Sequence, residues 1–437
     1  MTKGPGEDAP APPAQKALLL DRRFWPLFWA QALGALNDNL FKGAAVILAV
    51  YAGAPGRGAT VAMLAGGLLV LPFILFSALA GALADRHPKP RLVRIVKAAE
   101  IAVMCLGALA ILGGSSALLL FVVFLTGTQS AFFGPLKYGL LPELFREREL
   151  LLANAYIEAS TFLAILLGTM AGSLLVSLEA GKGLAAAACL AVAVAGFLAS
   201  LFLPELPAAA PDLRIRLDPR PMLSDVLVYA RRRPELWRAI LAISWFWAVG
   251  GVYLAQVPAH ARQMLAVSEQ VATLLLAMFV IGIAVGALAV RLALRGRVRL
   301  WPVPWAMLAV GLLGIEFALA ARLLPPAQEP RDLATFLATP GSLRLLLDLF
   351  LLAAAGGAFA VPLYAHLQLR TQRSHVARII GANNIMNAFF LVASAGAVAA
   401  LLSLGLSVSR LLLALGVLDL LAAMLLFAWL RQTRAHP

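Results

Sequence analysis

Apolar residues fall along this chain in long unbroken runs separated by short polar breaks. The pattern shows neither the alternation of strands nor the one-sided stripe of a surface helix. Twelve runs reach the ~20 residues a helix needs to cross the hydrocarbon core of a bilayer. They cover 24–51, 59–84, 92–114, 117–141, 150–177, 183–203, 236–259, 270–294, 301–324, 343–368, 379–404 and 409–430. Turn chemistry marks the breaks, at Gly53-Ala54-Pro55-Gly56, His87-Pro88-Lys89-Pro90, Gly113-Gly114-Ser115-Ser116 and Pro325-Pro326. Transmembrane β-strands would be about ten residues long and would alternate. The pattern therefore predicts an all-α membrane protein with twelve transmembrane helices.

Two stretches lack such runs. Residues 1–23 are polar and Pro/Ala-rich, a composition expected to be disordered. They lack the apolar core and cleavage site of a signal peptide, so the first span is expected to be retained. The Pro- and Arg-rich stretch 204–235 reads as an irregular cytoplasmic linker. It divides the chain into a six-helix bundle at 24–203 and a second at 236–430, with a cytoplasmic tail at 431–437.

Composition agrees: 62% of residues are hydrophobic and 13% charged, where a soluble domain is nearer half and a quarter. That excludes a water-soluble enzyme, and no nucleophile, base and orienting group assemble at recognisable spacing. The net charge of +14 raises the question of nucleic acid. Placing the N-terminus in the cytoplasm puts 27 of the 36 Lys and Arg on that side. Seven lie outside: Arg57, Lys182, Arg262, Arg322, Arg331, Arg344 and Arg410. The asymmetry orients both termini to the cytoplasm, explains the charge without nucleic acid, and suits anionic headgroups. Lys42 and Lys137 remain as cations inside spans. Cys105 and Cys189 sit in apolar runs, and His366 and His375 have no second ligand at metal spacing, so no disulfide, metal or cofactor is expected. The absence of a phosphate-binding glycine loop argues against direct ATP drive.

The halves repeat. Gly81-Ala82-Leu83-Ala84-Asp85-Arg86 matches Gly286-Ala287-Leu288-Ala289-Val290-Arg291; Ala131-Phe132 with Pro135-Leu136 matches Ala358-Phe359 with Pro362-Leu363. Ala153-Asn154 with Glu158-Ala159 matches Ala382-Asn383 with Asn387-Ala388. Two parallel six-helix repeats around a cleft is the plan of the major facilitator superfamily, which the chain resembles over nearly its whole length. Gly81-x-Leu83-x-Asp85-Arg86 with Arg91 resembles that superfamily's signature loop, although His87-Pro88-Lys89-Pro90 stands where a glycine and a basic residue are usual. Asp85 is expected to face the positive N-terminal end of the eleventh helix, near Val376 to Ile379, and to hold a cytoplasmic gate shut with Arg86 and Arg91. The plainer alternative is a loop anchored at the headgroups.

Ionisable groups within spans are costly and are functional candidates. Gln31, Gly34, Ala35, Asp38 and Lys42 share one face of the first helix, with Asp38 about 21 Å beyond Phe24. Phe24-Trp25-Pro26-Leu27-Phe28, Gln31, Gly34-Ala35 and Asn37-Asp38-Asn39-Leu40-Phe41-Lys42 are similar to the bacterial lysophospholipid transporters, nearest the transporter region joined to acyl-glycerophosphoethanolamine acyltransferases. Gly134-Pro135-Leu136-Lys137-Tyr138-Gly139, Pro142-Glu143-Leu144 and Asn154 to Glu158-Ala159 reinforce the likeness. The resemblance implies inward movement of lysophospholipids across the inner membrane for cytoplasmic reacylation, the acyltransferase being a separate protein. An arginine that some members carry in the seventh helix has no counterpart in Trp245–Tyr253.

A lysophospholipid site needs a cation for phosphate, a carboxylate or amides for an amine, and an apolar path for the tail. Lys137 is the phosphate candidate with Gln129 near its face; pairing with Glu158 is the alternative. Asp38 is a candidate for amine contact, against a static pair with Lys42, itself a gating candidate. Asn154, Glu158, Asn383 and Asn387 are substrate candidates or interhelical glue, and Tyr253, Gln256 and Glu316 are weaker ones. Glu100 is expected to pair with Lys97 or Arg94, and Arg344 with Asp348. Trp301 and Trp305 read as interface belt residues, Trp245 and Trp247 as cleft lining. The expected partners are lysophospholipid and membrane lipids, with the protein a monomer. Rival readings are a proton-coupled exporter of small amphiphiles and a non-transporting scaffold for an acyltransferase.

Overall fold

The computed structural model describes residues 18, 21–52, 58–215, 219–321, 324 and 330–435. Most of the tail expected to be disordered, the turns at 53–56 and 325–326, and Arg57 and Arg322 lie outside them. The described residues form fourteen helices. In chain order α1 spans Trp25–Ala52, α2 Gly58–Arg86, α3 Lys89–Gly113, α4 Ser116–Leu144, α5 Glu147–Val176, α6 Gly181–Leu201 and α7 Pro219–Arg231. Then follow α8 Pro234–His260, α9 Glu269–Leu294, α10 Pro302–Ala320, α11 Leu333–Ala338, α12 Ser342–Arg370, α13 Val376–Ser403 and α14 Val408–Ala435.

Eleven of these are long and apolar enough to cross a membrane. The twelfth span is α1, 28 residues long, whose apolar character is diluted by Asn37, Asp38, Asn39 and Lys42. Boundaries follow local chemistry: Gly114 ends α3 in the left-handed conformation at φ 68°, and the Ser115 hydroxyl accepts from Leu118 N at 3.4 Å to open α4. Two expectations need correction. The linker is not irregular throughout, because α7 buries Val226 and Ala230 and packs on α2, α8 and α13. The tail after 430 is not separate either, since α14 runs on to Ala435.

The two sets of six spans pack alike. Within the first, α1 lies along α5, α2 along α4 and α3 along α6; within the second, α8 lies along α13, α9 along α12 and α10 along α14. Backbones approach closely where glycines meet carbonyls. A Cβ at Gly172 would lie 2.0 Å from the Leu40 carbonyl oxygen, and one at Gly286 1.8 Å from that of Ala354. Such contacts replace the hydrophobic drive that helices lack in lipid.

The halves touch through α2 against α13 and α5 against α9. These contacts concentrate at the end where α2 finishes. There Gly381 meets Ser77, Gly81 meets Ala377 and Arg378, and Leu151 and Ala155 cluster with Ala287, Val290 and Leu294. Toward the opposite end, no residue of 389–403 in α13 is buried. The cleft between the halves is therefore closed at the Asp85 end and open at the other.

Replacing Gly172 by Val forces α1 and α5 apart and is expected to cost about 1–3 kcal/mol. Gly66→Ala is expected to be neutral, because nothing lies within 4 Å of the added carbon. Thermal unfolding of the two purified variants separates these outcomes.

Candidate functional site

The polar run of α1 meets α3 and α4 inside the first half. Asn37 Nδ2 donates to Glu100 Oε1 at 3.0 Å, Gln129 Nε2 donates to Glu100 Oε2 at 3.0 Å, and Lys97 Nζ reaches the same oxygen at 2.7 Å. Lys97 is wholly buried. A Cβ at Gly34 would stand 2.4 Å from its ammonium, and Phe133 offers a ring face 4.9 Å away. Reading Lys97 as a loop cation is thus corrected: it lies about 12 Å along α3 from Lys89 at 1.5 Å per residue. Lys42 and Lys137 are not the only cations in the spans. The legible signal was the three-residue spacing of Lys97 and Glu100, which lets one neutralise the other.

Asp38 stands at the edge of this network. Its Oδ2 accepts from the Ser130 hydroxyl, while its Oδ1 has no hydrogen-bond partner. The expected pair with Lys42 is not formed, because Lys42 Nζ donates instead to Asn39 Oδ1 at 3.0 Å. Lys137, one end of α4 further, makes no ion pair within 4.0 Å among the described residues. Its Nζ lies 4.8 Å from the Tyr138 ring centre and within electrostatic reach of Glu158 and Asp38. Direct pairing of Lys137 with Glu158 is corrected: the Tyr138 hydroxyl donates to Glu158 Oε1.

From Glu158 the polar contacts cross to the second half. Tyr138 stacks on Tyr364 at 4.6 Å and 3°, and Trp247 Nε1 donates to the Tyr364 hydroxyl at 2.9 Å. Asn154 Nδ2 donates to Gln368 Oε1 at 2.7 Å, joining α5 to α12, and Ser244 donates to Asn387 Oδ1 at 2.9 Å. Asn383 is buried facing Tyr364. Asp38, Gln129, Lys137, Glu158, Asn154, Asn383 and Asn387 therefore belong to one polar surface running between the halves. Ser130, Tyr138, Tyr364 and Gln368 were not singled out from sequence, since hydroxyls and amides in apolar runs carry no spacing signal.

Asp85 closes the floor of the cleft. Its carboxylate accepts from Ala377 N at 3.1 Å, Arg378 N at 3.2 Å and Arg378 Nε at 3.1 Å, so it sits on the N-terminal turn of α13. Lys89 is buried between Asp85 at 4.0 Å and Glu143 at 2.6 Å. The expected contribution of Arg86 and Arg91 is corrected, because Arg91 is exposed and neither makes an ion pair within 4.0 Å among the described residues. Lys89 and Arg378 take that place.

Other candidates fall elsewhere. Tyr253 lines an apolar pocket within the second half, with Phe246, Val249, Phe279, Ile283, Met307 and Leu352. Gln256 makes no hydrogen bond among the described residues. Arg344 pairs with Glu316 rather than with Asp348, because α10 packs beside α12. Glu100 takes Lys97, and Arg94 takes Glu205 at 2.6 Å. Trp301 and Trp305 are exposed, and Trp245 Nε1 donates to Asp419 Oδ1 at 2.8 Å, a buried carboxylate of α14 that sequence reading passed over. No group of three His, Cys, Asp or Glu that could hold a metal occurs among the described residues.

Twelve membrane-spanning helices in two like-packed sets, with a polar cleft between them, define a multi-pass membrane transporter and not an enzyme. Residues 27–328 match the model of the Major Facilitator Superfamily, to which this chain belongs. Among its relatives is the Lysophospholipid transporter LplT of Serratia proteamaculans, 31% identical over 373 residues, covering 84% of this chain and 83% of the relative. The protein of the same name from Klebsiella pneumoniae subsp. pneumoniae is 31% identical over 364 residues, covering 81% of each. The human organic anion transporter MFSD10 shares the fold at TM-score 0.72 and 17% identity, over 95% of this chain and 100% of that one. The E. coli fucose:proton symporter FucP does so at 0.68 and 13%, over 93% and 98%.

Glu100→Gln leaves the Lys97 ammonium buried without its partner, a change expected to cost about 3–5 kcal/mol. Adding Lys97→Met to that variant is expected to recover most of the loss. A double-mutant cycle of denaturant unfolding in detergent micelles measures the coupling.

Proposed function

We propose that this protein carries lysophospholipids inward across the bacterial inner membrane by alternating access, for reacylation in the cytoplasm. The observation that carries the reading is Asp38 within electrostatic reach of Lys137 on the cleft, a carboxylate and an ammonium neither of which has an ion pair within 4.0 Å among the described residues. A lysophospholipid headgroup presents phosphate and often an amine, and the two residues answer those charges. With no arginine in the Trp245–Tyr253 stretch of α8, Lys137 supplies the phosphate contact. The relatives named as lysophospholipid transporters support the substrate class.

The apolar flanks of α2 and α13 at the open end, with Met63, Leu71, Val392 and Leu401 exposed, suit an acyl chain lying between protein and lipid. The count of Lys and Arg turns the Asp85 end to the cytoplasm, with both termini there. The cleft then opens outward, with bundles 24–203 and 236–430 hinged at linker 204–235. Transport requires the Asp85 contacts to part while the outer ends close. Gln129, Asn154, Glu158, Asn383 and Asn387 exchange partners as the halves rock.

Uptake of labelled lysophosphatidylethanolamine into spheroplasts tests the site. Loss of a charge-assisted hydrogen bond corresponds to about a ten- to hundredfold effect, so Lys137→Ala is expected to lower uptake by that factor and Lys137→Arg to retain part of it. Asp38→Asn is expected to impair the amine-bearing lipid more than lysophosphatidylglycerol. Unchanged uptake by Lys137→Ala removes the phosphate role. Asp85→Asn is expected to raise maleimide labelling of a cysteine placed at Ala377 from the cytoplasmic side, in a background with Cys105 and Cys189 replaced by Ser.

A further inference from the structure

We propose that Asp419 is a proton-binding site in the second half of the protein, and that its occupancy sets the position of α8. Asp419 lies near the middle of α14 and is fully buried. Its Oδ1 accepts one hydrogen bond, from Trp245 Nε1 of α8 at 2.8 Å, and its Oδ2 has no partner. An ionised carboxylate in such surroundings needs a cation or several donors.

The helices packed along α14 are α8, α10 and α13. From α10 the one titratable side chain is Glu316, held by Arg344. From α13 it is Arg378, bound to Asp85 at the closed end of the cleft. Along α8, Glu235, Arg238 and His260 lie in the first and last turns, and Tyr253 is the titratable group within electrostatic reach. On α14 itself Arg410 and Arg431 are about 13 Å and 18 Å away along the axis. Among the described residues no cation pairs with it, so a proton neutralises the group.

The consequence reaches the cleft through α8. Trp245 ties that helix to Asp419, while the adjoining Ser244 and Trp247 hold Asn387 and Tyr364 of the polar surface. When the proton leaves for water, the carboxylate needs a further donor. The Tyr253 hydroxyl, on the same helix and buried without a hydrogen bond among the described residues, is the donor that a shift of α8 would bring to it. The site lies outside the headgroup cluster, and its link to transport rests on the lysophospholipid reading above.

Infrared titration of the purified protein in liposomes tests the proton site without any substrate. One component of the carboxylic-acid C=O band is expected to persist at neutral pH, to disappear on alkalinisation, and to be missing from Asp419→Asn. In Trp245→Phe, which removes the donor to the anion, that loss is expected about one to two pH units later. An Asp419→Asn spectrum identical to the wild type overturns the proposal; should that variant fail to fold, an unshifted titration in Trp245→Phe overturns it instead. Lysophosphatidylethanolamine exchange in proteoliposomes then tests the link to α8. Its pH dependence is expected to flatten in Asp419→Asn, and an unaltered profile overturns the link. Absence of exchange by the wild type at every pH overturns the lysophospholipid reading, leaving the infrared result to decide the proton site.

Discussion

A charge in hydrocarbon must find its partner within the protein, and the first half of this molecule is arranged around that requirement. Lys97 cannot reach water, so Glu100 sits three residues on to neutralise it, and Asn37 and Gln129 satisfy the remaining carboxylate lone pairs. That network joins α1, α3 and α4 at one level of the bilayer. Gly34 leaves room for the ammonium, so a side chain there would require the end of Lys97 to shift. Against this closed network, Asp38 and Lys137 stand out as charges left only partly satisfied. That contrast is what supports the proposal that Asp38 and Lys137 meet a ligand.

The same requirement governs the meeting of the halves. Asp85 is buried, and its donors come from the first turn of α13 in the other half. Separating the halves at that end strands a carboxylate and exposes helix N–H groups together, which makes the closed end a discrete state. Gly81 and Gly381 let the backbones of α2 and α13 approach closely enough for those hydrogen bonds to form. At the opposite end α13 buries no residue over its last fifteen, about 22 Å at 1.5 Å per residue, although Leu391 still meets Gly251 of α8. Opening one end and closing the other exchanges one set of helix contacts for another while the site lies between.

Much of this was legible from residue order alone. Run length set the twelve spans, because nothing else buries so much apolar chain, and the matched glycines and asparagines announced the repeat. Asp85 could be assigned to the end of α13 since a lone carboxylate after an apolar run seeks a helix N-terminus. What order could not convey was which neighbouring helix supplies a partner. Arg344 meets Glu316, 28 residues away, in preference to Asp348 one turn on. Lys97 closes a row of cations that begins at Arg86, and only the start of α3 at Lys89 reveals that it points into the bundle. Asp419 lacks any partner nearby in sequence, so its tie to Trp245 emerges only when α14 packs beside α8. Helix α7 was hidden by the prolines around it.

On the proposed function, the Asp85 contacts and the open end of the cleft belong to one rocking motion driven by ligand at Asp38 and Lys137. Spin-label distances between α2 and α13, measured at the Asp85 end and at the opposite end with and without lysophosphatidylethanolamine, test it most directly. Added lipid is expected to lengthen the first distance and shorten the second, and Lys137→Ala to abolish both changes. Distances that stay fixed at both ends, or that change equally in the Lys137→Ala variant, would contradict it.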